Sequence, residues 1–367
     1  MQVLQDINQE AEYLSMDMKG ILAKSGSLLL FTREDAIDPN FYYLAGLSKS
    51  TRVSAYLAIG KGKPVLITNP LEYGTLKKIT GFIVEKVSSE KEFKTVLDRT
   101  LGKKVGINNE YVSVNSLKRL RSLARGRKFE DISKNLREMR TVKSREEINK
   151  IRHACRITLE LFAHLETLAK IGKTETEIAA EIESEAKRLG AEGMSFPSII
   201  ASGENSAVPH HVSGKTKLSE GILLADIGVI YDGYCSDMTR TYCIGEPTVM
   251  HKHMYAVVNR AKETAEKAAK AGSKASVVFD AANKIIKDSY GKDMIHGLGH
   301  GLGIDVHDYP DGFRSGSKTM LRNGMCMTIE PGFYQEGFGG MRIEDDIVIR
   351  KGKPAMLSKA PDRIVSL

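Results

Sequence analysis

The feature that most constrains how this chain folds is a repeat of long period in its last two thirds. Two helical segments, about 144–170 and 174–189, precede a β-rich stretch that contains the hairpin GILLADIGVIYDGYCSDMTRTYCIG (221–245). Two more, about 250–271 and 275–289, precede a second β-rich stretch that contains MCMTIEPGFYQEGFGGMRIEDDIVI (325–349). Helix, helix, hairpin therefore occurs twice, although identity between the halves is slight. Ser144 followed by Glu147 has capping-box spacing, and Glu146 and Glu147 suit the positive end of a helix dipole. A helix is thus expected to start there.

Each hairpin carries a pair of acids. In the first, Asp226 and Asp237 lie symmetrically about Tyr231–Asp232, beside the turn signal Asp232-Gly233. Folding there sets the two aspartates opposite or diagonally opposite each other, and opposed Cβ atoms of an antiparallel pair are about 4.5–5.5 Å apart. In the second, Glu330 and Glu344 lie symmetrically about Gly337 in the loop EGFGG, and Arg342 shares the strand parity of Glu344. Carboxylates placed so closely repel one another, and a bound cation relieves that cost.

Between the hairpins runs HGLGHGLGIDVHD, with His296, His300 and His307 among alternating glycines. Each glycine inside a helix costs about 1 kcal/mol relative to alanine, so this is not a zinc-protease helix. So bare a backbone suits close approach to a ligand or to another strand. A further pair, His210-His211, lies in the loop-like segment ASGENSAVPHHVSG. Singly, each Asp or His has an ordinary structural reading. Jointly, four carboxylates and one imidazole without a thiolate point to a site for hard or borderline divalent ions such as Mn²⁺, Co²⁺ or Zn²⁺. Four negative charges exceed what one dication needs, and two ions about 3.5–4 Å apart would balance them and suit hydrolysis.

The first third reads differently. GSLLLFT, VSAYLAIG, KPVLITN, FIVEKV and KKVGIN are short β runs, and EKEFKTVLDRTL (90–101) and SVNSLKRLRSLA (113–124) are helical. This is an α/β layout, and a domain boundary is expected near 135–142. The net charge of +8 resides entirely here: residues 1–140 carry 24 Lys and Arg against 16 Asp and Glu, while the remainder is balanced. The basic run KRLRSLARGRK (118–128) lacks interleaved aromatics and reads as a solvated helix face rather than a nucleic-acid site. The four cysteines are far apart, with no C-x-x-C pair, and read as buried, reduced thiols. No apolar run is long enough to span a membrane, and no secretory signal is legible, so a cytoplasmic protein is expected.

Taken in order, SFPSIIASGENSAVPHH, DIGVIYDGYCSDMTRTY, HGLGHGLGIDVHD, IEPGFY and GGMRIEDDIVI resemble the metal-dependent Xaa-Pro peptidases, prolidase and aminopeptidase P, relatives of methionine aminopeptidase and creatinase. DPNFYYLAGL (38–47) resembles their N-terminal domain. The resemblance implies an α+β "pita-bread" catalytic domain over 138–367, with pseudo-two-fold symmetry, behind an α/β creatinase-like domain over 1–137. It implies Asp226, Asp237, His300, Glu330 and Glu344 as ligands of two divalent ions, His210 and His307 as catalytic groups outside the ligand set, and His296 and Arg342 beside the substrate. The implied reaction is attack of an activated water on the bond preceding proline. Glu330 would pass the proton to the proline nitrogen, and His210 and His307 would stabilise the oxyanion. An Xaa-Pro dipeptide or short peptide is the implied substrate and a homodimer the implied assembly, with longer peptides as the rival substrate class. Metal-free creatinase chemistry is disfavoured because all five ligand positions are filled.

Overall fold

A computed structural model of the protein describes residues 20–367. They divide into two compact units, the first ending at Met139 and the second beginning at Arg140.

The first unit is built on six strands: β1 (Leu28–Thr32), β2 (Ala55–Ile59), β3 (Val65–Thr68), β4 (Ile83–Lys86), β5 (Lys104–Ile107) and β6 (Lys128–Asp131). Their order is β4-β3-β2-β1-β5-β6, with β1–β2 and β2–β3 antiparallel and the other pairs parallel. Strand β6 was not expected from sequence; its four residues, KFED, alternate charge with one aromatic and carry little apolar signal. Because side chains alternate across a strand, β1 feeds two cores. Leu28 and Leu30 join Phe41, Tyr42, Leu57 and Leu66 on one face. Leu29 joins Phe93, Val96, Leu97 and Leu120 on the other. The helices that cover these faces include α1 (Pro39–Ala45), α2 (Glu90–Thr100) and α3 (Val114–Leu123). The basic run falls on α3 and the turn into β6. Arg119, Arg127 and Lys128 there pair with Glu90, Asp98 and Glu130, while Leu120 faces the core.

After α4 (Ser133–Thr141), the second unit carries the repeat. Helices α5 (Arg145–Leu168) and α6 (Glu175–Arg188) precede the first hairpin, and α7 (Val249–Ala268) and α8 (Ala275–Tyr290) the second. The Ser144–Glu147 capping box is formed, and a second opens α6 at Thr174 and Glu177. The strands are β7 (Gly193–Met194), β8 (Ile199–Ser202), β9 (Gly221–Ile227), β10 (Val229–Tyr231), β11 (Tyr234–Cys235) and β12 (Met238–Ile244) in the first half. The second half holds β13 (Gly299–Gly301), β14 (Asp308–Phe313), β15 (Cys326–Ile329), β16 (Gly332–Gln335), β17 (Gly339–Arg342), β18 (Asp345–Val348) and β19 (Ala355–Met356). A last strand, β20 (Val365–Ser366), pairs with β12.

The two halves match in detail that the sequence hides. Gly172 and Gly272 both have φ near +90° and donate N–H bonds to Leu218 and Leu321, respectively. Two residues on, Thr174 pairs with Lys217 and Lys274 with Met320. Each second helix is thus tied at its start to the segment leading into its hairpin. The segments KIGKT and KAGSK keep only the lysine and glycine, because a positive φ is the one local demand glycine alone meets cheaply.

The alternating glycines of 297–303 turn out to admit neighbouring backbone. A Cβ on Gly299 would lie 2.1 Å from the Thr328 carbonyl oxygen, and one on Gly301 would lie 2.5 Å from the Asp308 oxygen and the Tyr309 carbonyl carbon. Of the two readings left open, close approach to another strand therefore applies at these positions. Gly301→Ala is expected to lower stability by about 3 kcal/mol, the upper end of ordinary overpacking. A urea midpoint equal to that of the parent would show that the contact is not needed.

Candidate metal centre

The first hairpin turns at Asp232-Gly233, both with positive φ, and its register pairs Asp226 with Thr239 across β9 and β12. Asp237 precedes β12 by one residue, so the two aspartates are diagonal neighbours rather than directly opposed. The ladder breaks at Gly228, where a Cβ would meet the Ser236 oxygen at 2.1 Å. In the second hairpin, Ile329 pairs with Asp345 and Gly332 with Arg342. The register is continuous across the gap, so Glu330 and Glu344 face each other where the ladder opens between β15–β18 and β16–β17. The first hairpin thus interrupts its hydrogen bonding at Asp237 and the second at Glu330 and Glu344, while Asp226 stays in the ladder.

Those interruptions, β13 and two loops converge. Asp226, Asp237, His300, Glu330, Glu344, His210, His296, His307 and Arg342, the nine residues singled out from sequence, line one cavity of about 790 Å³. Asp237, His300 and Glu344 offer ligand atoms that all lie within 4.8 Å of one another. His300 Nε2 is 3.3 Å from Asp237 Oδ2 and 3.6 Å from Glu330 Oε1. His300 Nδ1 lies 3.1 Å from the Gly301 carbonyl oxygen, which can only accept, so Nδ1 donates there and Nε2 is the nitrogen turned to the carboxylates.

The electrostatics of this cluster are unfavourable as it stands. Burial, then the Glu344 and Asp226 carboxylates, push Asp237 well above the usual range, and burial, then Glu330 and Asp226, do the same to Glu344. Asp226 is raised by burial as well, against the Arg342 guanidinium whose Nη2 lies 2.6 Å from its Oδ2. Asp226 Oδ1, Asp237 Oδ1 and Glu344 Oε1 are buried without a hydrogen-bond partner among the described residues. A buried carboxylate oxygen left unpaired is costly. Divalent cations would satisfy every one of these atoms, and the all-oxygen-and-imidazole donor set suits them. The residues fit a metal pair.

Several supporting groups were not singled out from sequence. Thr239 Oγ1 donates to Glu344 Oε2 at 2.8 Å and accepts from Arg342 Nε at 2.9 Å. Tyr334, pushed up to about 12 by burial, accepts from Arg342 Nη1 at 3.0 Å and lies 2.9 Å from His296 Nε2. Their signal was strand parity: Thr239 shares that of Asp237, and Tyr334 that of Glu330. Asp346 Oδ2 accepts the Asp237 N–H at 3.1 Å and faces the Cys155 thiol at 3.2 Å. Asp345 is held by Arg240 at 2.9 Å, by Lys262 and by the Ser358 hydroxyl at 2.7 Å. These two have no local signal, because apart from Ser358 the partners named here come from 83 to 191 positions away. Of the His210-His211 pair, His211 is bound to Glu175 Oε2 at 2.8 Å.

The comparisons bear on this geometry. The model of metallopeptidase family M24 matches residues 149–351. The chain belongs to that family. It is a metallopeptidase, and membership implies divalent metal ions. The model of the creatinase/prolidase N-terminal domain matches residues 21–142, so a creatinase-like α/β domain precedes a pita-bread catalytic domain. The Xaa-Pro dipeptidase of Pyrococcus horikoshii is 36% identical over 335 residues, covering 90% of this chain and 93% of its own. That of Pyrococcus furiosus is 34% identical over 344 residues, covering 90% and 96%. Among solved structures, the prolidase from Pyrococcus horikoshii OT3 matches with TM-score 0.87 and 33% identity over 95% of this chain and 99% of its own. The X-Pro aminopeptidase from Thermotoga maritima MSB8 matches with TM-score 0.87 and 32% identity over 94% and 98%. No described helix is long and apolar enough to cross a membrane.

Raised carboxylates give the centre a pH signature. A carboxyl whose folded pKa exceeds its unfolded value binds more protons when folded, so its contribution to stability is lost as pH rises from the unfolded value through the folded one. The gap in melting temperature between chelated and metal-loaded protein is expected to widen from about pH 4.5 upward. Asp237→Asn, which removes one of the repelling charges, should raise the melting temperature of the chelated protein alone. A pH-independent gap would mean that these acids do not repel in the folded chain.

Proposed function

We propose that this metallopeptidase hydrolyses the peptide bond preceding proline in Xaa-Pro dipeptides. The observation that carries this is the convergence of five oxygen and nitrogen donors, His210, His296, His307 and Arg342 on one cavity, in a family whose relatives at 36% and 34% identity are named Xaa-Pro dipeptidases. Under this reading Asp226, Asp237, His300, Glu330 and Glu344 hold two divalent ions, Mn²⁺ or Co²⁺ ahead of Zn²⁺. Such a pair, when bound, supplies a nucleophilic water at neutral pH and positive charge for the substrate carbonyl.

The chain's own residues do the rest. Glu330, the acid of the cluster with the most exposed side chain at 20%, accepts the water proton and returns it to the proline nitrogen as the bond breaks. That return matters because the nitrogen can leave only as a protonated amine, its anion being too basic to depart. His307, whose imidazole burial and the neighbouring His300 ring hold below its ordinary value, lies with its ring centroid 4.1 Å from that of His300. With His210 it donates hydrogen bonds to the oxyanion that forms at the attacked carbonyl. Arg342 ties Asp226 to Tyr334, and Tyr334 to His296 at the substrate side. The catalytic domain is taken to begin near residue 138, and a cytoplasmic homodimer is the working form.

A second reading, an aminopeptidase acting on longer Xaa-Pro peptides, is supported by the likeness to the Thermotoga maritima X-Pro aminopeptidase. Product analysis on Ala-Pro and Ala-Pro-Ala separates the two. Ala-Pro is expected to be split faster, with activity abolished by chelation and restored by Mn²⁺ or Co²⁺. Faster cleavage of the tripeptide selects the aminopeptidase, and full activity of verified metal-free protein sinks both. His307→Ala should keep its metal while kcat falls about 100-fold, the scale of losing one oxyanion donor. Loss of metal in that variant would make His307 a ligand instead.

A further inference from the structure

His307 lies in a short connection, Leu302–His307, between β13 and β14, and what fixes that connection is a buried ionic cluster that the mechanism above does not use. Asp308, the residue after His307, has a side chain only 2% exposed. Its Oδ1 accepts from Arg140 Nη2 at 2.7 Å and from the Tyr309 N–H at 2.7 Å, and its Oδ2 accepts from the Ile304 N–H at 3.1 Å. The Asp308 carboxylate therefore closes the connection on itself, bonding to backbone at both ends. Lys143, 1% exposed, has its Nζ 3.8 Å from Asp308 Oδ2 and donates to the Tyr309 carbonyl at 2.7 Å. Arg140 also reaches Asp305 Oδ2 at 3.1 Å, inside the same connection.

The fit is close enough to dictate sequence. A Cβ on Gly303 would lie 2.1 Å from Asp308 Oδ2 and 3.0 Å from Lys143 Cε, so glycine leaves the space that the carboxylate and ammonium fill. Burial disfavours the Asp308 charge, but Arg140 and then Lys143 outweigh it and hold the carboxyl below its ordinary range. Two cations and two anions balance the cluster. Burying Arg140, Lys143 and Asp308, with Asp305 partly exposed, is expensive for stability alone, where apolar residues do as well or better, so the arrangement suits positional control.

We propose that Arg140 and Lys143 are positioning residues: acting through Asp308, they hold the Gly303–Asp308 connection rigid and so fix the His307 imidazole over the cavity. This deepens the peptidase reading and rests on it for the role of His307. Displacement of an orienting group by about 1 Å costs up to 100-fold in rate. Lys143→Met is therefore expected to lower kcat on Ala-Pro by roughly 10- to 100-fold, with metal content unchanged. In a His307→Ala background the same substitution should cost nothing further, because the group it positions is gone. An equal fall in both backgrounds would reduce the cluster to a structural role and overturn the proposal.

Arg140→Lys keeps the charge but not the two-acid reach of the guanidinium. It should reproduce the effect if Lys143→Met fails to fold. Amide hydrogen exchange over 303–309 gives a readout independent of turnover: protection should fall in either variant and persist in His307→Ala. Unchanged protection sinks the positioning role. A wild-type protein inactive on both Ala-Pro and Ala-Pro-Ala sinks the peptidase reading and leaves the exchange result to decide the rigidity of the connection.

Discussion

Four carboxylates facing one another in a low-dielectric hollow are the constraint around which the catalytic unit is arranged. Among the described residues, Asp226, Asp237, Glu330 and Glu344 have one guanidinium, Arg342, in contact with them, and three of their buried oxygens lack a hydrogen bond. A fold that kept such a cluster without cations would lose stability to both desolvation and repulsion. The surrounding structure is consequently stiff where the acids lie. Asp345 is clamped by Arg240, Lys262 and Ser358, and Arg240 also donates to the Glu344 carbonyl, so the strand entering the site cannot drift apart from the first hairpin.

The repeat supplies the geometry that this constraint needs. Each half ties the start of its second helix to the segment before its hairpin in the same way, at Gly172 and Gly272. The first hairpin then loses its ladder at Asp237 and the second at Glu330 and Glu344, with Asp226 still paired to Thr239, and all four acids face one cavity. The histidine connection between β13 and β14 belongs to one half only, so the centre is symmetric in its carboxylates and asymmetric in its imidazoles. That asymmetry suits a division of labour in which an acid of the cluster carries the proton and histidines hold the oxyanion.

Much of this was legible in order along the chain. The helices of the second unit, the Ser144 cap, the turn at Asp232-Gly233 and the strands β1 to β5 follow from local spacing and turn chemistry, which act over a few residues. The acids and histidines could be singled out because their types are costly in apolar hairpins and glycine-bare segments. Strand β6, with KFED, gave too little apolar alternation to be read. Thr239 and Tyr334 carried a parity signal but are ordinary strand residues without the partner that makes them matter.

By itself the sequence determined the periodicities, the turns and the chemical inventory, because each depends on neighbours along the chain. Only the tertiary structure decided the pairings made across long separations: that Asp237 rests on Asp346, 109 positions away, and that Arg140 and Lys143 reach Asp308, 168 and 165 positions on. Hydrogen bonds and charges of this kind act over a few ångströms in space. Which residues come within that distance is set by the packing of the whole unit.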